Sequence, residues 1–123
     1  MGRNFNNIKA WQHADDLAAS VYSKTKSFPR EEMYGLTSQL RRAAVSVPTN
    51  IAEGASRKHK KEYLHFLSTA RGSIAEVEYL LHLSRRVEYL GENDYKQLEA
   101  LRAETARTLQ GLMTFIENET DEK

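Results

Sequence analysis

From Tyr63 to Ser84 the residues suited to a core return every three or four positions: Tyr63, Phe66, Leu67, Ala70, Ile74, Val77, Leu80, Leu81 and Ser84. That spacing lines one face of an α-helix, whereas a half-buried strand would alternate at every second residue. The segment that carries it, residues 60–90, makes a helix of roughly 45 Å at about 1.5 Å per residue. Such a helix must cover its apolar stripe with partners of comparable length.

Three other segments supply them. Residues 8–26 repeat Trp11, Ala14, Leu17, Ala18, Val21, Tyr22 and Thr25 at the same spacing. Residues 36–53 repeat Leu36, Leu40, Ala43, Ala44, Val47 and Ile51. A fourth helix, starting at Asn93 or Asp94, repeats Leu98, Leu101, Thr105, Thr108, Leu109, Leu112, Phe115 and Ile116. The breaks carry their own signals. Asn6 or Asn7 is placed to cap the first helix, and Phe28-Pro29 ends it. Gly35 marks a bend or a close contact, Gly54 a helix stop, and Ser56 a cap for the third helix. Gly91 closes that helix, and Asp94 and Gln97 have capping-box spacing. Short connections between four such helices give an all-α, antiparallel up-down-up-down four-helix bundle. Residues 1–118 read as one domain and residues 119–123 as a polar tail. Pro48 falls inside the second helix, where its missing N–H and its ring predict a kink.

Composition narrows the function classes. The absence of cysteine removes disulfides, thiol catalysis and cysteine-ligated zinc together, and fits a reducing cytoplasm. No apolar run approaches the roughly 20 residues of a membrane span. The first residues, MGRNFNNIKAWQ, lack the apolar core of a signal peptide, and Asn6 stands where a myristoylation signal wants Ser or Thr. Metal and catalytic chemistry find little footing. Glu62 and His65 form one Glu-x-x-His, and Glu78 and His82 lie one turn apart, but carboxylate-bridged bundles need two such motifs and further acids. His13, His59, His65 and His82 have no recognisable nucleophile partner. No cofactor fingerprint is present.

Three groups of residues stand out from a plain bundle. The first is basic. Arg41, Arg42, Arg57, Lys58, Lys60 and Lys61 fall within residues 41–61 beside one acid, Glu53, in a chain of formal net charge +1. Four of them crowd the start of the third helix, where cations oppose the helix dipole, so that their placement favours an acidic partner such as an RNA or DNA backbone. A solvated surface is the plainer alternative. No aromatic residue interleaves with them before Tyr63, which speaks against a stacking platform for single strands. The second is a polar line beside the core stripe of the second helix: Gln39, Arg42, Ser46, Asn50 and Glu53. It reads as a hydrogen-bonded assembly seam against a helix or subunit, with a ligand pocket at Asn50 and Glu53 as the alternative. The third is a second stripe on the third helix, Gly72, Glu76, Tyr79, Leu83, Val87 and Leu90, which predicts self-association.

The run Ser46-Val47-Pro48-Thr49-Asn50-Ile51-Ala52-Glu53-Gly54 also resembles a known motif. Together with Tyr34-Gly35-Leu36, with residues 38–43 and with Ala70-Arg71-Gly72-Ser73 through Glu76, it is similar to the bacterial four helix bundle protein family. Its members were first noticed as reading frames in intervening sequences of 23S ribosomal RNA genes. The resemblance covers nearly the whole chain. It implies an antiparallel bundle assembled as a ring-shaped homopentamer. It also implies kinship in architecture with accessory proteins of diversity-generating retroelements, which bind a reverse transcriptase and nucleic acid. The resulting expectation is a non-enzymatic, cytoplasmic homo-oligomer that binds RNA or DNA backbone through the basic cluster. The alternative is a protein–protein adaptor or structural oligomer without nucleic-acid binding.

Overall fold

A computed structural model describes residues 4–120, which form four α-helices and three short 3-10 turns with no strand. The readings on Met1-Gly2 and on the tail from residue 121 onward lie outside the described residues. Helix α1 is Lys9–Lys24, α2 is Leu36–Ala55, α3 is Lys60–Arg86 and α4 is Glu92–Glu117. None of them is long and apolar enough to cross a membrane.

Each helix packs on its neighbours in sequence, and α4 closes the ring against α1. Contacts across three of these pairs run in opposite order along the two helices. On α2 and α3, the Ser46 hydroxyl meets that of Ser73 while Gly54 meets Phe66. On α1 and α4, His13 faces Glu104 while Lys24 reaches Asp94. On α3 and α4, Arg71 bonds Gln110 while Glu78 faces Arg102. The pairs are therefore antiparallel, as short connections require.

The expected stripes supply most of the core, in two clusters stacked along the bundle. One gathers Ala10, Ala14, Val47, Ile51, Ala55, Tyr63, Leu67, Ala70, Ile74, Leu109, Met113 and Ile116. The other gathers Leu17, Val21, Phe28, Leu40, Ala43, Ala44, Val77, Leu80, Leu81, Leu90 and Leu98. On α4, Met113 takes the core place and Phe115 is exposed. Both are apolar and two positions apart, so only one of them can face inward on a helix.

The helix ends differ from the sequence expectations. Asn6 and Asn7 do not cap α1; they lie in a 3-10 turn, Phe5–Asn7, which the Asn4 side chain caps. Ser56 follows α2 rather than opening α3, and its hydroxyl donates back to the Glu53 carbonyl at 2.7 Å. Helix α3 stops at Arg86, short of residue 90, because Glu88 adopts a left-handed conformation with φ 67°. The Tyr89 and Leu90 amides then both donate to the Ser84 carbonyl, which closes the helix and turns Leu90 into the core. Gly91 sits at the N-cap of α4, which begins at Glu92, so no capping box forms at Asp94. The turn after α3 is tied to the segment before α2. The Tyr89 hydroxyl donates to one Glu32 oxygen while the other accepts from the Leu36 amide, capping α2. That hydrogen bond to Glu32 raises the Tyr89 pKa above the usual phenol value.

Gly54 is the largest departure. It does not stop α2, which continues through it to Ala55. A Cβ built there would lie 2.9 Å from Phe66 Cβ, 2.9 Å from Tyr63 Cδ1 and 3.2 Å from the Tyr63 carbonyl oxygen. Gly54 is the point at which α2 and α3 approach too closely for a side chain.

Candidate functional site

The close approach at Gly54 places the end of α2 against the first two turns of α3, and the basic residues gather there. They divide by what they touch. Lys60 donates from Nζ to the Glu119 carbonyl at 2.9 Å and to the Glu117 carbonyl at 3.3 Å. It opposes the dipole of its own helix but complements the C-terminal end of α4. Arg57 lies with its guanidinium 4.8 Å from the Phe66 ring centroid, and its Nη2 is 3.9 Å from a Glu53 oxygen. Lys58 and Lys61 are exposed, and among the described residues they form no ion pair. The α3 N-cap, His59, makes no side-chain cap.

Arg41 and Arg42 sit elsewhere. Arg41 turns inward along α1, where its Nε donates to the Thr25 hydroxyl at 2.8 Å and its guanidinium covers the Tyr22 ring. It therefore does not join the basic group. Arg42 is its neighbour in sequence but is exposed.

Two aromatic rings join the group, which the order of residues along the chain conceals. Helical spacing sets His65 one turn after Lys61 and Phe66 one turn after Glu62. The rings of His65 and Phe66 meet at 5.9 Å between centroids, nearly edge-on. An open groove is lined by Arg57, Lys61, Glu62, His65 and Phe66. The i, i+4 relation was the sequence signal for it.

Above this junction the polar line of α2 separates into two parts. Ser46, Asn50 and Ser73 come together. The Asn50 amide donates to the Ser46 carbonyl at 2.8 Å and to its hydroxyl at 3.0 Å, and that hydroxyl lies 2.8 Å from the Ser73 hydroxyl. Pro48 lies between them inside α2 and is partly buried. Gln39, Arg42, Glu53 and Glu76 are exposed and add no bond to this cluster. Of the second stripe on α3, Gly72, Glu76, Tyr79 and Val87 are exposed, and Leu83 is partly buried. Tyr79 is 58% and Val87 45% exposed, a large apolar area to leave in water. Leu90 does not belong to this surface, because the turn at Glu88 buries it to 3% exposure.

Elsewhere the charged groups are ordinary surface pairs. Arg85 binds Glu92 and Arg107 binds Glu104, and these hydrogen bonds hold both carboxyls below the usual glutamate pKa. Arg102, beside Glu99 and Glu78, has its pKa raised by its hydrogen bond to Glu99. Among the described residues no group of three or more His, Asp or Glu comes together to hold a metal.

The model of the family described as 23S rRNA-intervening sequence protein matches residues 6–111 of this chain. The chain belongs to that family. Among solved structures, the intervening-sequence protein is similar to a protein of unknown function from the S23 ribosomal protein family of Bacteroides thetaiotaomicron. The TM-score is 0.80 at 19% identity, over 90% of this chain and 99% of the other. At that identity the likeness concerns the fold. Comparison with curated proteins gives no match.

Proposed function

We propose that this intervening-sequence protein is a non-enzymatic, cytoplasmic homo-oligomer that binds RNA or DNA backbone through the junction of α2 and α3. The observation that carries the reading is the set of cations Arg57, Lys58 and Lys61 around the uncapped first turn of α3. Cations here destabilise their own helix slightly, and the positive end of the helix dipole adds to their attraction for phosphate. Self-association is supported by the exposed Tyr79 on α3 and Val87 at its C-terminal cap. A pentamer is the form that the resemblance to the four helix bundle proteins implies. The polar residues Ser46, Asn50 and Ser73 then serve the seam between α2 and α3, and Gln39, Arg42, Glu53 and Glu76 form its outer edge.

Fluorescence anisotropy against structured RNA and duplex DNA across a salt series tests the reading. Binding through phosphates weakens steeply and log-linearly with salt. Changing Arg57, Lys58 and Lys61 together to Gln should lower affinity and flatten that slope while the melting temperature holds, since exposed charges contribute little stability. Lys60 is kept, because it holds the end of α4. No binding at low salt would favour the second reading, an adaptor or structural oligomer, which the exposed stripe on α3 also supports.

A further inference from the structure

We propose that the groove between the end of α2 and the start of α3 is a stacking site for an unpaired nucleobase. On this view the preferred nucleic acid is a single strand whose bases carry exocyclic amino groups. The inference rests on the nucleic-acid reading above and adds which form of nucleic acid the site selects.

Three observations lead to it. The groove brings an aromatic floor and a cationic rim into one place. Phe66 and His65 supply rings, and Arg57 and Lys61 supply charge. The Arg57 guanidinium carbon already lies over Phe66, 4.8 Å from the ring centroid, and its contact to Glu53 is long, at 3.9 Å. A guanidinium plane resting on a ring is itself a surface on which a base stacks, and unpaired bases are recognised on such planes. The remaining member, Glu62, also lines the groove. A carboxylate among cations is a poor neighbour for phosphate, but it accepts N–H bonds from the edge of a base. That gives adenine, cytosine or guanine an advantage over uracil, whose exocyclic groups only accept. In a duplex, base faces are covered by their neighbours, so a paired substrate reaches only the cations.

The geometry depends on Gly54. Its bare backbone lets Phe66 Cβ sit against α2, which sets the ring beside Arg57 at the helix end.

The test compares labelled oligo(A), oligo(C), oligo(U) and a blunt-ended duplex without a loop, on wild type and on Arg57→Lys, Phe66→Leu, Lys58→Gln and Glu62→Gln. Arg57→Lys keeps the charge and removes the plane. It should weaken oligo(A) and oligo(C) about tenfold, leave the salt slope unchanged, and leave the duplex unaffected. Phe66→Leu should act in the same direction, with its melting curve recorded beside it. Lys58→Gln, outside the groove, should weaken every ligand alike and flatten the slope. Glu62→Gln should narrow the gap between oligo(A) and oligo(U). Duplex and single strands bound equally well, with Arg57→Lys indistinguishable from wild type, would overturn the stacking site and leave backbone binding standing. Failure to bind any of the ligands would overturn both.

Discussion

Replacing Gly54 by alanine isolates the helix contact that builds the junction. In an exposed helix interior, alanine is worth about 1 kcal/mol more than glycine. Here the added methyl meets Phe66 Cβ and Tyr63 Cδ1 at 2.9 Å and the Tyr63 carbonyl at 3.2 Å. A Cβ and a carbonyl are fixed by the backbone, so neither can rotate away; α2 and α3 must separate. Overpacking of this kind costs about 1–3 kcal/mol, and backbone-limited contacts belong in the upper half of that range. Net of the propensity gain, the loss is about 1–2 kcal/mol, or a melting temperature lower by roughly 4–8 °C for a chain of this size. Gly111 provides the control. It lies on the exposed face of α4, and a Cβ there meets nothing within 4 Å. Gly111→Ala should raise the melting temperature by about 4 °C. Circular dichroism melts of the two variants in one buffer decide the matter. A Gly54→Ala protein that melts at or above wild type would refute the close-contact reasoning.

Other outcomes follow from the same contacts. Asn50→Leu should cost about 1 kcal/mol, because it removes both bonds to Ser46, whereas Glu53→Leu should change stability little, since Glu53 is exposed and its contact to Arg57 is 3.9 Å long; paired melts compare them. Glu92 and Glu104 have depressed pKa values, so the stability they contribute is present above the ordinary glutamate range and is lost as pH falls through their folded values. Arg85→Gln should move the Glu92 titration midpoint upward in carbon-detected NMR, and an unmoved midpoint would show that Arg85 is not its cause. Tyr79→Asp with Val87→Asp should leave helicity intact and lower the mass measured by light scattering; an unchanged mass would remove this face from any assembly.

The helical register was legible because it rests on many residues at once. Leu40, Val47, Leu67, Val77, Leu98 and Leu109 all lie where a period of about 3.6 puts them. What escaped rests on single residues. Gly54 fits a helix stop and a close approach equally well as a letter, and only the position of α3 decides between them. The stripe through Val87 and Leu90 keeps perfect helical spacing, yet Glu88 adopts a left-handed conformation that the glutamate itself does not announce. Arg41 and Arg42 are adjacent, and which one meets α1 depends on the packing of two helices. The aromatic groove was hidden for a simpler reason. The cations form a linear run in the sequence, while Phe66 joins them only through the turn of the helix.

The attachment of Lys60 to the end of α4 bears on how strongly one chain can hold a polyanion. With Lys60 committed to main-chain carbonyls and Arg57 leaning on Glu53, Lys58 and Lys61 would be the principal charges one copy extends toward phosphate under the proposed function. Two neutralised phosphates give a salt slope of only about −1.4 to −1.8, a feeble grip at cellular ionic strength. Copies arranged around a common axis would add such grips along one strand, and linked contacts multiply. Affinity for nucleic acid would then act as a gauge of assembly: dilution or a broken interface would release the strand even with every basic residue in place.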